Sequence, residues 1–164
     1  MIPTLRTERL TLRAPVFDDF EDYAAMLTSP RARFLQDGLT RDIAWGWFSS
    51  DVAHWHLFGF GALTIETDGR VVGQVAVTKG IAFPEPELGW LLYEGAEGQG
   101  FATEAAAAMR DYARDAIGVP TLVSYIDPDN TASEGVARRL GAVPDPAADA
   151  PKPTEQVWRY EVAA

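Results

Sequence analysis

This sequence predicts a mixed β-sheet with helices packed against it, an α+β class. Three observations lead there. Several stretches alternate apolar and polar residues as strands do, and others carry an apolar face at helical spacing. Their order is strand, two helices, three strands, helix, strand, helix, strand, which is not a regular βαβ repeat.

Residues 10–13 alternate and read as the first strand. Asp18 and Asp19 open an amphipathic stretch with Phe17, Phe20, Tyr23, Ala24 and Leu27 on one face, stopped at Ser29-Pro30. Thr40 can cap a second helix through Ile43, Trp45, Trp47 and Phe48 to about His54. Residues 60–67 and 70–78 form two strands around Asp68-Gly69, a strong hairpin turn signal. Phe83-Pro84-Glu85-Pro86 is a loop, because proline fits poorly in a central strand. Residues 87–93 form the next strand and 95–100 a glycine-rich loop. A helix runs from Phe101 to about Ile117, where Gly118 and Pro120 stop it. Residues 121–126 form another strand, and 130–140 a short helix closed by Gly141. Residues 144–153, rich in Pro, Asp and Ala, read as an exposed loop, and 156–162 as a last strand.

The 164 residues suit one domain, 1–164, large enough to bury a core without staples. Without cysteine there is no disulfide, no thiolate metal site and no cysteine nucleophile. No metal site is expected. His54 and His56 have a metal-like spacing but no evident third ligand, and packing at a helix end explains them better. The net charge of -10 argues against binding a nucleic-acid backbone. No apolar run reaches the length of a membrane span, and the opening residues lack a signal-peptide layout, so a cytoplasmic protein is expected.

The glycine-rich loop carries the chemistry. A strand runs through Leu91, Leu92 and Tyr93 into Gly95, Gly98 and Gly100, and a helix starts at once. The first turn of a helix leaves four N–H groups without partners, and the helix dipole makes that end positive. Glycines remove the β-carbons that would block close approach, and the result is a cradle for phosphates. An acidic protein can thus hold a polyphosphate without a basic patch. The nucleotide-hydrolase loop needs a lysine that is missing here. The dinucleotide fingerprint needs a glycine where Thr103 stands. The alternative remains a glycine turn entering an alanine-rich helix that merely packs closely.

The segment Glu97 to Ala102 resembles the acetyl-CoA loop of the GNAT superfamily, Gln/Arg-x-x-Gly-x-Gly/Ala, through Gly100 and Ala102. The continuation Gly98-Gln99-Gly100-Phe101-Ala102-Thr103-Glu104-Ala105 is similar to the branch that acetylates ribosomal-protein N-termini, the RimJ/RimL type. The opening Leu5-Arg6-Thr7-Glu8-Arg9-Leu10-Thr11-Leu12-Arg13 resembles that branch's first strand. Asp127-Pro128-Asp129-Asn130-Thr131-Ala132-Ser133, followed by Arg139-Leu140-Gly141, resembles its Asn-x-x-Ser helix. The three matches come in the family's order and span nearly the whole chain. The resemblance implies a single GNAT-like domain with a mixed, mostly antiparallel sheet flanked by helices. It also implies acetyl-CoA as co-substrate. Glu97 departs from the family's Gln or Arg, and a carboxylate beside a diphosphate is unfavourable unless it points away.

The cofactor-binding residues expected on this basis are Leu92, Gly98, Gln99, Gly100, Phe101, Ala102, Thr103 and Asn130, with Glu97 contributing backbone alone. Asn130, the only asparagine, can cap its helix and also contact the cofactor, although Thr131 with Glu134 offers a rival capping box. Ser133 is either an ordinary first-turn serine or, by resemblance, the donor to the coenzyme A sulfur. Many relatives use a tyrosine where Ala137 stands. Glu87 is either a solvated edge carboxylate or the base that takes the amine proton through water. Ser124 and Tyr125 face opposite ways, and one of them borders the thioester. The aromatic cluster Trp45, Trp47, Phe48, Trp55, Phe58 and Phe60 is mostly core. The resemblance implies that part of it lines an acceptor pocket, where Asp37 and Asp42 could meet a cationic amine, although a solvated face is the commoner explanation for such acidic residues.

Two functions of different classes follow. One is an N-acetyltransferase acting on a peptide or small-molecule amine by direct attack in a ternary complex. The other is a non-catalytic acyl-CoA-binding module. A nucleotide-binding protein with another cofactor is a weaker third. A homodimer through a strand edge or an aromatic face is compatible with the sequence, and no residue pattern demands it.

Overall fold

In the computed structural model, which describes residues 1–162, Leu5–Arg6 and Thr11–Arg13 form a first hairpin, β1 and β2. After a 3₁₀ turn at Phe17–Asp19 come α1 (Phe20–Leu27), a second 3₁₀ turn (Pro30–Phe34) and α2 (Arg41–Leu57). Then follow β3 (Ala62–Thr67), β4 (Arg70–Thr78), β5 (Glu87–Leu92), α3 (Phe101–Tyr112), β6 (Val123–Ile126), α4 (Thr131–Arg139), β7 (Val143–Pro144) and β8 (Gln156–Arg159). The sheet order is β1-β2-β3-β4-β5-β6-β8-β7. Every neighbouring pair is antiparallel except β5 with β6, which is parallel. The mixed, mostly antiparallel sheet is therefore as expected.

Several boundaries differ from the sequence reading. The opening segment is two strands rather than one. The Thr7 N–H donates to the Leu10 carbonyl at 3.0 Å, and the Leu10 N–H returns to the Thr7 hydroxyl at 2.9 Å, closing a tight turn. The expected loop 144–153 begins with an edge strand, β7, where Pro144 is tolerated, and Arg159 on β8 pins it through Asp145 at 2.7 Å. The helix from Phe101 is α-helical only to Tyr112. Residues 113–117 widen into a π turn that ends at Gly118 in the left-handed region. Laddering of the last strand stops at Arg159.

Period two on the strands and 3.6 on the helices divides the core into layers. On one face, Leu12, Leu63, Ile65, Val75, Val77 and Leu88 pack with Phe101, Ala105, Met109 and Val136 from α3 and α4. On the other, Phe20, Tyr23, Leu27, Ala44 and Phe48 of α1 and α2 meet Tyr93 and Leu91. The Asp19 carboxylate ties the start of α1 to the face of the sheet that α1 and α2 cover. It accepts two bonds from Arg13 at 2.8 Å, one from the Val16 N–H at 2.9 Å and one from the Thr64 hydroxyl at 2.8 Å. Burial alone would raise its pKa, but these donors hold it below the ordinary value. Asp18 and Asp19 do stand at the helix start, and Asp19 is in addition buried in an ion pair with Arg13, while Asp18 is exposed.

Candidate active site

Strands β5 and β6 are in register at one position alone, Glu87 opposite Val123. Beyond it they diverge. The Ser124 hydroxyl then donates to the Leu88 carbonyl at 2.5 Å and lies 2.9 Å from the Tyr160 hydroxyl, so the gap is stitched by side chains. Two cavities meet there, sharing Phe34, Leu35, Trp90, Leu91, Asn130 and Ser133.

The larger cavity, about 740 Å³, is lined by the glycine loop. Gly98 and Gly100 hold φ values of 74° and 80°, which L-residues with a β-carbon rarely adopt. The N–H groups of Gly98, Gln99, Gly100, Phe101, Ala102 and Thr103 find no acceptor among the described residues. The first internal bond at this end of α3 runs from the Glu104 N–H to the Gly100 carbonyl at 3.1 Å. Unpaired donors at the positive end of a helix, in an open cleft, fit the diphosphate of a coenzyme A molecule. The side chains of Gln99 and Phe101 do not line the cleft. The Gln99 amide turns back to the Gly95 carbonyl at 3.2 Å, and the Phe101 ring is buried under the Arg9 guanidinium.

The loop is held from behind by the first hairpin. The Thr7 hydroxyl donates to Glu104 at 2.5 Å, and the Arg9 N–H and Nε donate to the same carboxylate at 2.9 and 2.7 Å. Arg9 Nη1 also donates to the Gln99 carbonyl at 2.8 Å. Two of the sequence segments that carry the family resemblance are therefore bonded to each other.

Glu97 does line the cleft, but its carboxylate pairs with Arg31. Arg31 also donates to the Leu92 carbonyl at 2.9 Å. Arg33 and Arg139 line the same cleft, Arg139 donating to the Thr103 hydroxyl at 3.2 Å. Three guanidiniums thus face a cleft that the sequence reading supplied with backbone dipoles alone. Arg31 and Arg33 lie on a 3₁₀ turn without periodic signal, and only the fold brings them to the loop.

The smaller cavity, about 180 Å³, joins Glu87, Asn130 and Ser133. Asn130 caps α4, accepting from the Ser133 N–H at 3.2 Å, so the cap belongs to Asn130 rather than Thr131. The Ser133 hydroxyl makes no hydrogen bond among the described residues. Ala137 is fully buried in the core, so that position does not look into the cleft. Burial pushes the Glu87 carboxyl up to about 7. The backbone amide of Tyr125 and Lys152 oppose the shift, and Glu155 and Asp51 add to it.

Asp51 was not anticipated. It lies one helical turn after Trp47, on the same face of α2, and i,i+4 spacing was the available signal. Gln74 donates to it at 2.7 Å and the Tyr23 hydroxyl at 3.5 Å. Burial moves its pKa up to about 6, against the pull of Gln74, His54 and Tyr23. Asp37 and Asp42 line neither cavity, so the acidic wall comes from Asp51 instead. His54 is buried, its two ring nitrogens facing the Ser50 and Lys79 carbonyls at 2.6 and 2.9 Å. Tyr125 lines the cavity too, its hydroxyl accepting from the Glu85 N–H at 3.1 Å.

Comparison with known proteins agrees with this geometry. Residues 9–143 match the family model described as Acetyltransferase (GNAT) domain. The crystal structure of the acetyltransferase from Agrobacterium tumefaciens is 48% identical over 98% of this chain and 95% of that one, with a TM-score of 0.95. RimL, a ribosomal alpha-N-protein acetyltransferase solved in complex with coenzyme A, is 17% identical over 96% of each chain, TM-score 0.74. An acetyl transferase from Salmonella typhimurium that modifies the N-terminal serine of a 50S ribosomal subunit protein is 16% identical over 93% of each chain, TM-score 0.72. At the two lower identities the likeness is one of fold. The family match covers most of the chain and includes the glycine loop, and on that basis the chain belongs to the GNAT acetyltransferase family.

Proposed function

We propose that this protein transfers the acetyl group of acetyl-CoA to a primary amine, by direct attack in a ternary complex. One observation carries the reading: free main-chain donors at 98–103 face a cleft that opens, at Asn130 and Ser133, onto a cavity containing Glu87. The thioester supplies an activated acyl carbon. The loop amides, with Arg31, Arg33 and Arg139, hold the diphosphate, and Leu92 lines the cleft beside it. Glu87, directly or through water, accepts a proton from the acceptor ammonium. The freed nitrogen forms the N–C bond, the C–S bond breaks, and the thiolate is protonated by Ser133, which recovers a proton from the nitrogen. One amide and one thiol result, and the proton on Glu87 goes to solvent. The segments that resemble the RimJ/RimL branch, Leu5 to Arg13, Gly98 to Ala105 and Asp127 to Ser133, support placing the protein near it, in the cytoplasm.

Calorimetry with acetyl-CoA and a thiol-release assay with a panel of amines test the proposal. Tight binding with release on at least one amine is expected. Binding without release on any amine would favour the non-catalytic module. Arg31→Ala deprives the cleft of a cation and leaves Glu97 unpaired, so its Kd for acetyl-CoA should rise about tenfold, a change typical of lost charge-assisted contacts. Adding Glu97→Gln to that variant should recover part of the loss.

A further inference from the structure

The acceptor cavity has a composition that selects among amines. Its lining includes Asp51, Glu87 and Asp127 and contains no lysine, arginine or histidine. Asp19, Glu66, Glu85, Glu97 and Glu104 each pair with an arginine. Asp51 and Glu87 pair with none among the described residues, and the contacts of Asp51 are a neutral amide and a phenol. The nearest outside charges are already engaged. Lys152 is bound to the Leu35 carbonyl and to Glu155, and the His54 ring to two carbonyls.

Two carboxylates without counter-ions, lining one small cavity, leave their compensation to whatever enters. Their placement is fixed by register. Thr78 is opposite Glu87 and Gln74 opposite Leu91, so Gln74, which orients Asp51, lies four residues along β4 from the partner of Glu87. At about 3.3 Å per residue this is a backbone separation of about 13 Å, shortened by side chains that reach into the same space. Trp47 and Trp90 add aromatic walls that favour a cation over a neutral tail.

We infer that the acceptor is a small amine bearing a second cationic group and no carboxylate, its reacting nitrogen at Glu87 and its second ammonium at Asp51. The inference rests on the acetyl-transfer reading of the same site. A free amino acid would bring its own carboxylate into a wall of like charge. A peptide N-terminus would bring no second cation to Asp51.

The test compares cadaverine, n-hexylamine, free lysine and a short serine-initiated peptide as acceptors at saturating acetyl-CoA, read as kcat/KM for thiol release. Cadaverine is lysine without the carboxylate, and n-hexylamine has similar length without the second charge. Cadaverine should exceed each of the others by about tenfold or more, the discrimination expected of a placed charge pair. Asp51→Asn should reduce the cadaverine-to-hexylamine ratio towards unity, and an unchanged Kd for acetyl-CoA reports that the variant is folded. If it does not fold, Gln74→Leu, which removes the bond orienting Asp51, serves in its place. Equal use of n-hexylamine, or preference for lysine or the peptide, overturns the diamine inference and leaves acetyl transfer standing. Release on no amine, with acetyl-CoA bound, overturns both.

Discussion

Burial lifts the Glu87 carboxyl to about 7, so the residue changes protonation near neutrality. In the proposed role of base it must be unprotonated to work, so kcat/KM should rise with pH and level off above about 7. Asp51 and Glu155 hold that midpoint up and Lys152 draws it down. Glu87→Gln should lower kcat by about 100-fold and erase this limb of the profile. A profile that survives the substitution would show that another group sets it. Glu87, Asn130 and Ser133 were legible beforehand because each sits beside a sequence landmark: a strand start, a lone asparagine, a helix first turn. Arg31 and Asp51 were not. Each acts through a partner distant in sequence, Glu97 or Gln74, and no local pattern announces such a meeting.

At the scale of elements, β5 decides how the cleft is divided. Its residues Glu87, Gly89 and Leu91 share the face bearing Thr78, Ala76 and Gln74. A β-carbon on Gly89 would meet nothing within 4 Å, because that space belongs to the smaller cavity, the proposed acceptor site. Gly89→Val should therefore fold normally and bind acetyl-CoA with little change, yet raise KM for the acceptor about tenfold or more by taking up its room, as overfilled pockets do. Steady-state kinetics with calorimetry separates the two effects. A parallel loss of acetyl-CoA affinity would disprove the division. The longer elements were readable from periodicity, and the β3–β4 hairpin from Asp68-Gly69. Strands β1 and β7 were not, since two residues are too few to show a period.

Across the whole molecule, titration of the site and of the scaffold oppose each other. Asp51 and Glu87 have raised folded pKa values, so they favour the native state at low pH and lose that contribution as pH rises through about 6 and 7. Asp19 has a lowered one, so its contribution is present above its ordinary value and fades as pH falls below it. Stability should be greatest near pH 4 and fall between about pH 4 and 7. Glu87→Gln should then raise Tm at pH 8 by about 2–4 °C, with a smaller gain at pH 5, in a thermal scan. A lower Tm at pH 8 would contradict this. Family likeness gave a mixed, mostly antiparallel sheet flanked by helices, but not the strand order or the face each helix covers, since pairing β5 with β6 across an intervening helix is a long-range event. The Thr7–Arg9 grip on Glu104 and Gln99 has a practical corollary. Replacing Thr7 and Arg9 by alanine, which leaves β1 in place, should slacken the glycine loop and raise the Kd for coenzyme A in calorimetry while the sheet still forms.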